Sequence, residues 1–307
     1  MRTYHKGLHL FACVLALATF LLIVAGANVT SHRAGLSVPD WPTTYGQSMF
    51  TFPTSKWVGN IFYEHGHRLI ASGVGFLTIV LTVWLVFVEE RRWVRRLGIA
   101  ALAAVIAQGV LGGLTVIFML PPPISIAHAT LAETFFCITV SLAIVTSKEW
   151  LEESSDPSAR DGLLIRRFAL ATTVAVYCQI ILGASIRHAE LGVIAHIVGA
   201  AAVAACVTGT LFAVMFTVKE RQFLRYATLL VCLVTAQVAL GIATLFLRVP
   251  KAVDAEMSTA QVVLPTIHLA LGALTLATSL AMTLKAFRFL PVCCEEHVVR
   301  FAAGAIS

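Results

Sequence analysis

Long runs of apolar residues, broken by short polar segments, dominate the chain. Eight runs, at roughly 8–30, 66–88, 97–119, 125–147, 165–187, 190–217, 224–247 and 262–285, are long enough to span a hydrocarbon core, which takes about 20 residues of helix. The apolar positions are continuous rather than alternating, and a helix satisfies its own backbone groups in lipid. The pattern therefore predicts an all-α membrane protein with eight transmembrane helices. The first run is too long for a signal-peptide core and no clear small-residue cleavage site follows it, so it reads as a retained helix.

A polar connection at 148–167, with Glu152, Glu153, Asp156 and Pro157, divides the spans into two sets of four, residues 1–150 and 151–307. "GANVTSH" (26–32), closing the first span, parallels "GASIRH" (183–188), closing the fifth. "AQGVLGGLT" (107–115) in the third parallels "AQVALGIAT" (236–244) in the seventh. Matches in corresponding spans and in the same order support a duplication, and the expected architecture is two pseudo-symmetric four-helix bundles.

Composition sharpens this picture. The chain is 58% hydrophobic and 12% charged, where soluble domains carry about 25% charged residues. Its partner over most of its surface is membrane lipid. The net charge of +6 does not indicate nucleic acid, because the basic residues cluster between the spans. Sixteen of the 22 Lys and Arg fall on the side of the N-terminus, which predicts both termini in the cytoplasm. The seven cysteines form no C-x-x-C pattern, and the adjacent pair Cys293–Cys294 follows the last span. No disulfide framework or zinc site can be read from them.

Seven of the ten histidines fall on the opposite, outer side, and four of them, His67, His128, His196 and His268, stand near the starts of the even-numbered spans. Each has a small residue one turn deeper, Ala71, Ala132, Ala200 or Gly272, leaving a ledge on which a porphyrin could lie. Paired histidines facing each other across a four-helix bundle ligate haem iron. The expectation is one pair in each half, with both sites near the outer face; the competing reading is polar residues that cap helices at the interface. "FYEHGHRLIASG" (62–73) gathers Glu64, His65, His67 and Arg68 at one helix mouth, where ionisable groups are costly and rare. Glu64 shares a helix face with His67. It can serve as a proton acceptor or as a first-turn partner of the helix dipole. Arg68 and Arg187 are candidates for haem propionates, because a guanidinium fork suits carboxylates. His188 and His65 are assigned around the ligands, His65 without a definite role. The segment 31–63, with Trp41, Tyr45 and Trp57, suits the headgroup region, and three prolines stiffen "MLPPPISIAH" ahead of His128.

These residues together resemble the heme A synthase family. The resemblance rests on "EHGHRLIASG" (64–73), "AHAT" (127–130), "GASIRHAELG" (183–192) with "AHIVGA" (195–200), and "IHLALG" (267–272), and covers about residues 8–287. It implies an oxidoreductase that converts the methyl group of haem o to the formyl group of haem a by successive hydroxylations, for terminal oxidase assembly. By position, His67 and His128 match the substrate-haem ligands, His196 and His268 the ligands of a haem b cofactor, and Glu64 the family's glutamate. A haem o synthase is the implied supplier of substrate, and a homo-oligomer stays open. Some members carry a cysteine pair in the first outer loop; residues 31–63 contain none. The short link "RHAELG" leaves the second pocket little lid, which suits a permanently held cofactor. The absence of an Arg- and Ser-rich leader points to a bacterial cell membrane.

Two other classes stay open at this stage. One is a bis-histidine electron-transfer cytochrome, against which the one-sided histidines argue. The other is a non-enzymatic haem carrier or assembly protein, which would need the histidines but not Glu64.

Overall fold

A computed structural model describes residues 4–152, 162–189, 192–217, 220–247 and 257–291. Among these residues the chain forms α1 (Lys6–Ser31), α2 (Asn60–Val88), α3 (Arg92–Ile117), α4 (Pro122–Val145), α5 (Lys148–Glu152), α6 (Leu163–Ala189), α7 (Ile194–Thr217), α8 (Arg221–Leu247) and α9 (Thr259–Phe289). All but the short α5 are 24 to 31 residues long and apolar enough to cross a membrane. Glu153, Asp156, Pro157, Glu190, Leu191 and the Cys293–Cys294 pair lie outside the described residues.

The eight long helices make two four-helix bundles. In the first, α1 and α3 each pack against both α2 and α4; in the second, α6 and α8 do the same with α7 and α9. The halves meet through α4 against α9, α1 against α9 and α4 against α6. A pseudo-two-fold axis that exchanges α1 with α6 and α4 with α9 maps the last two contacts onto each other. The α4–α9 contact lies on that axis.

Each half has its own apolar core, around Leu15, Leu81, Leu85 and Phe135 in the first and Phe223, Leu230, Leu276 and Met282 in the second. Ile23, Phe136 and Ala273 fill the seam. Lipid is as apolar as these side chains, so helix association draws on close packing and interhelical hydrogen bonds. Thr82 donates to the Gly98 carbonyl at 3.0 Å, where a methyl added at Gly98 would lie 2.7 Å from Leu85. Thr172 and Thr210 pair at 2.9 Å between α6 and α7, and Thr134 meets Tyr177 at 2.6 Å across the seam.

Several helices begin earlier than their apolar runs. α2 starts at Asn60 rather than near 66, α4 at Pro122 rather than 125, and α9 at Thr259 rather than 262; α7 starts at Ile194. Hydropathy reports the part of a helix that meets lipid, whereas local chemistry sets where it begins. Pro122 and Pro123 suit a first turn, whose N–H groups have no helical acceptor. Ser258 and Gln261 cap α9 reciprocally, each side chain meeting the other's backbone N–H.

Candidate functional site

The four histidines predicted from the sequence all sit at the end of the bundles where α2, α4, α7 and α9 begin, and each faces a glycine of the preceding long helix. A methyl added at Gly26 would lie 3.1 Å from Cε1 of His67, and one at Gly112 3.1 Å from Cε1 of His128. The corresponding distances are 3.3 Å from Gly183 to His196 and 3.4 Å from Gly241 to His268. A side chain larger than hydrogen at these glycines would crowd the imidazoles. The glycines of the two repeated motifs are therefore the walls behind the histidines.

A glutamine one turn before three of these glycines holds the histidine helix. Nε2 donates to the histidine's own carbonyl, from Gln108 to His128 at 2.9 Å, from Gln179 to His196 at 2.8 Å and from Gln237 to His268 at 2.7 Å. Gln108 and Gln237 stand in the repeated motifs at 107–115 and 236–244, whereas Gln179 lies outside both motif pairs. The signal was there, as Gln-x-x-x-Gly in "QGVLG", "QIILG" and "QVALG". The Gln237 amide also occupies part of the expected ledge, its Nε2 3.4 Å from a methyl placed on Gly272, and Gln179 packs on Gly199, beside the ledge residue Ala200.

The donor set fits haem. Nδ1 of His67, His128, His196 and His268 is buried in each case without a hydrogen-bond partner, a cost that native structures seldom leave unexplained. The rings of His196 and His268 lie 6.3 Å apart, centre to centre. A metal joined to two imidazoles by bonds of about 2 Å puts their centres about 6 Å apart. Among the described residues no three or more His, Cys, Asp or Glu side chains cluster as a metal site. Two imidazoles alone underfill a transition-metal sphere, so a metal held there would need further donors of its own, such as a porphyrin supplies.

The first half adds a lid. Residues 32–59 fold over the α2 and α3 ends, and the charged cluster of α2 fastens them. Nη1 of Arg68 donates to the carbonyls of Asp40 (2.7 Å) and Thr43 (3.1 Å), and Nη2 to the Val38 carbonyl (2.9 Å) and Glu64 Oε1 (2.6 Å). The Val38 N–H donates to the other Glu64 oxygen at 2.8 Å. Both terminal nitrogens of Arg68 are thus taken up by the protein, which makes it the clamp of the lid. Glu64 is the fifth residue of α2, and that helix has no acidic residue in its first turn, so the first-turn reading of Glu64 is set aside. His65, unplaced in the sequence, is fully buried under the lid. Its Nδ1 lies 3.1 Å from Thr44 Oγ1, with Trp57 and Phe52 around the ring. Trp41 lies over Gly113, next to the wall glycine Gly112; a methyl on Gly113 would come within 2.5 Å of the indole.

Arg187 and His188 occupy the seam. Nη2 of Arg187 donates to the Ala27 carbonyl at 2.9 Å and to Ser31 Oγ at 2.8 Å, and Ser31 pairs with Thr266 at 2.9 Å. This chain of contacts runs from α6 through α1 to α9, between Gly26 and His268. His188 is partly buried beside Arg187.

Fold and site together define a polytopic helical protein with two histidines set against glycines in each of two related halves. The model of the cytochrome oxidase assembly protein family matches residues 9–196, which include Glu64, His67, His128 and His196. The chain belongs to that family. It is similar to the heme A synthase of Alkalihalophilus pseudofirmus, at 26% identity over 190 residues, 61% of each chain. It is also similar to those of Shouchella clausii (26% over 193 residues, 60% of each chain) and Shewanella oneidensis (28% over 183 residues, 54% of this chain and 52% of the relative). The matched region thus spans about three fifths of the first two relatives' length.

Proposed function

We propose that the protein is a heme A synthase, an oxidoreductase converting the methyl group of haem o to the formyl group of haem a by successive hydroxylations and loss of water. The observation that carries this reading is the asymmetry around two equivalent histidine pairs: among the described residues, only the first has a buried carboxylate, Glu64, and a fastened lid beside it. Substrate haem is assigned to His67 and His128 in residues 1–150, and a haem b cofactor to His196 and His268 in residues 151–307. When bound, the haems supply the redox chemistry. Glu64, three residues before His67, accepts a proton released from the substrate methyl; Arg68 pairs with that carboxylate and keeps the lid closed against water. Arg187 is assigned to a propionate, and His188 to the polar surroundings of the ligands. The setting is a bacterial cell membrane with both termini in the cytoplasm and both pockets near the outer face. Haem o synthase is the supplier and terminal oxidase assembly the destination.

One observation favours the carrier reading. Both oxygens of Glu64 are engaged, as they would be if the residue only fastened the lid. Supplying haem o to the purified protein with an electron acceptor and following the pigments by chromatography separates the two. Haem a is expected from the wild type and not from Glu64→Ala, with haem b retained in both. Haem o returned unchanged by the wild type would leave a carrier, and a protein purified without haem that takes none up would end both readings.

A further inference from the structure

The four histidine–glycine contacts are alike in all respects but one. In three, the residue one turn before the wall glycine is a glutamine bonded to the histidine's own carbonyl. In the fourth it is Leu22, one turn before Gly26, packed on the apolar core of the first half. Among the described residues no side chain bonds to the His67 carbonyl. The glutamine contact is specific to the ligand residue. A bond to its carbonyl fixes both how far the histidine stands along the neighbouring helix and how that helix is rotated. His67 lacks this constraint, and it stands on the helix whose Glu64 and Arg68 fasten the lid.

Resting on the reading of the histidine pairs as haem ligands, we propose that Gln108, Gln179 and Gln237 are positioning residues that latch their histidines, and that Leu22 leaves His67 as the releasing ligand through which the first pocket exchanges its haem. A pocket that must take in substrate and give up product needs one ligand that lets go. A pocket that keeps its cofactor needs none, and the second half has both histidines latched.

Haem transfer from the loaded full-length protein to excess apomyoglobin tests this, together with the low-spin electron paramagnetic resonance signal of each histidine pair. The wild type should release one haem quickly and one slowly. A hydrogen bond of this kind is worth on the order of a fivefold change in an equilibrium constant. Leu22→Gln should slow the fast phase by about that factor, whereas Leu22→Met, of similar length without the amide, should not. Gln179→Met and Gln237→Met should quicken the slow phase and shift the resonance of the second pair. A fast phase unchanged in Leu22→Gln, with its resonance and helix content intact, overturns the role of Leu22. Unchanged slow release in both methionine variants overturns the latches. A wild type that binds no haem overturns the ligand reading itself, an outcome visible before any variant is compared.

Discussion

The two halves share a frame and differ in what is built on it. Each presents two histidines against two glycines at the same end of a four-helix bundle. In the first half, 28 residues join α1 to α2 and fold into the lid; in the second, four residues join α6 to α7. Glu64 and Arg68 flank His67, whereas the equivalent neighbours of His196 are Val193 and Ile197. Gly113, which receives Trp41, corresponds to Ile242, which is 52% exposed. The frame suffices to set two imidazoles against glycines in each half. Among the described residues the carboxylate, its guanidinium and the lid belong to the first half alone, and that is where the chemistry is assigned.

The largest expected effect comes from removing a ligand in one half at a time. His268→Ala should abolish the tightly held haem, measured as pyridine haemochrome per chain, while His67→Ala should keep it. The reverse result would exchange the roles of the halves. Glu64→Gln should lower conversion of haem o by about 10²- to 10⁴-fold, the usual worth of a positioned proton acceptor, with haem content unchanged. Full turnover in that variant would reduce Glu64 to a lid fastening.

Arg68→Met leaves a buried carboxylate without its partner, which should cost about 3–5 kcal/mol. The loss should show as protease cleavage within residues 32–59 and a lower unfolding temperature, with the second haem undisturbed. Gly113→Val should push Trp41 off α3 at a cost of about 1–3 kcal/mol, an overpacking effect. Ile242→Val, at the corresponding exposed site, should change stability by less than about 0.5 kcal/mol. Equal effects at the two positions would contradict the one-sided lid.

The smallest effect concerns pH. Burial alone would raise the Asp40 carboxyl, but the N–H groups of Gly46 and Tyr45 and the Thr43 hydroxyl outweigh it and hold the group below its ordinary value. The unfolded chain therefore binds this proton more tightly than the folded one, and the contribution is whole above about pH 4. It is lost as the pH falls through the lower, folded value. Proteolysis of residues 32–59 should rise in that acid range for the wild type, and Asp40→Asn should show a flatter profile.

The helices and the four histidines were legible in the sequence because lipid imposes long apolar runs, against which a histidine stands out. Helix beginnings were less legible, because polar and charged residues in the first turns, Asn60 and Glu64 to Arg68 in α2, interrupt the apolar run. The lid contacts of Arg68 and the surroundings of His65 could not be read. Arg68 bonds to backbone carbonyls 25 to 30 residues away, and carbonyls are the same in every residue type. Gln179 was legible by spacing, yet it stands among apolar residues whose similarity composition alone would produce.

The contact of α4 with α9 on the pseudo-two-fold axis has an evolutionary meaning. Matched helices touching across such an axis are the signature of an isologous dimer, in which one surface serves both partners. A four-helix ancestor pairing through that surface would have been bound to keep its copies identical, since one gene encoded both. Fusion into a single chain would have lifted that bond and left one copy free to acquire a lid and a carboxylate.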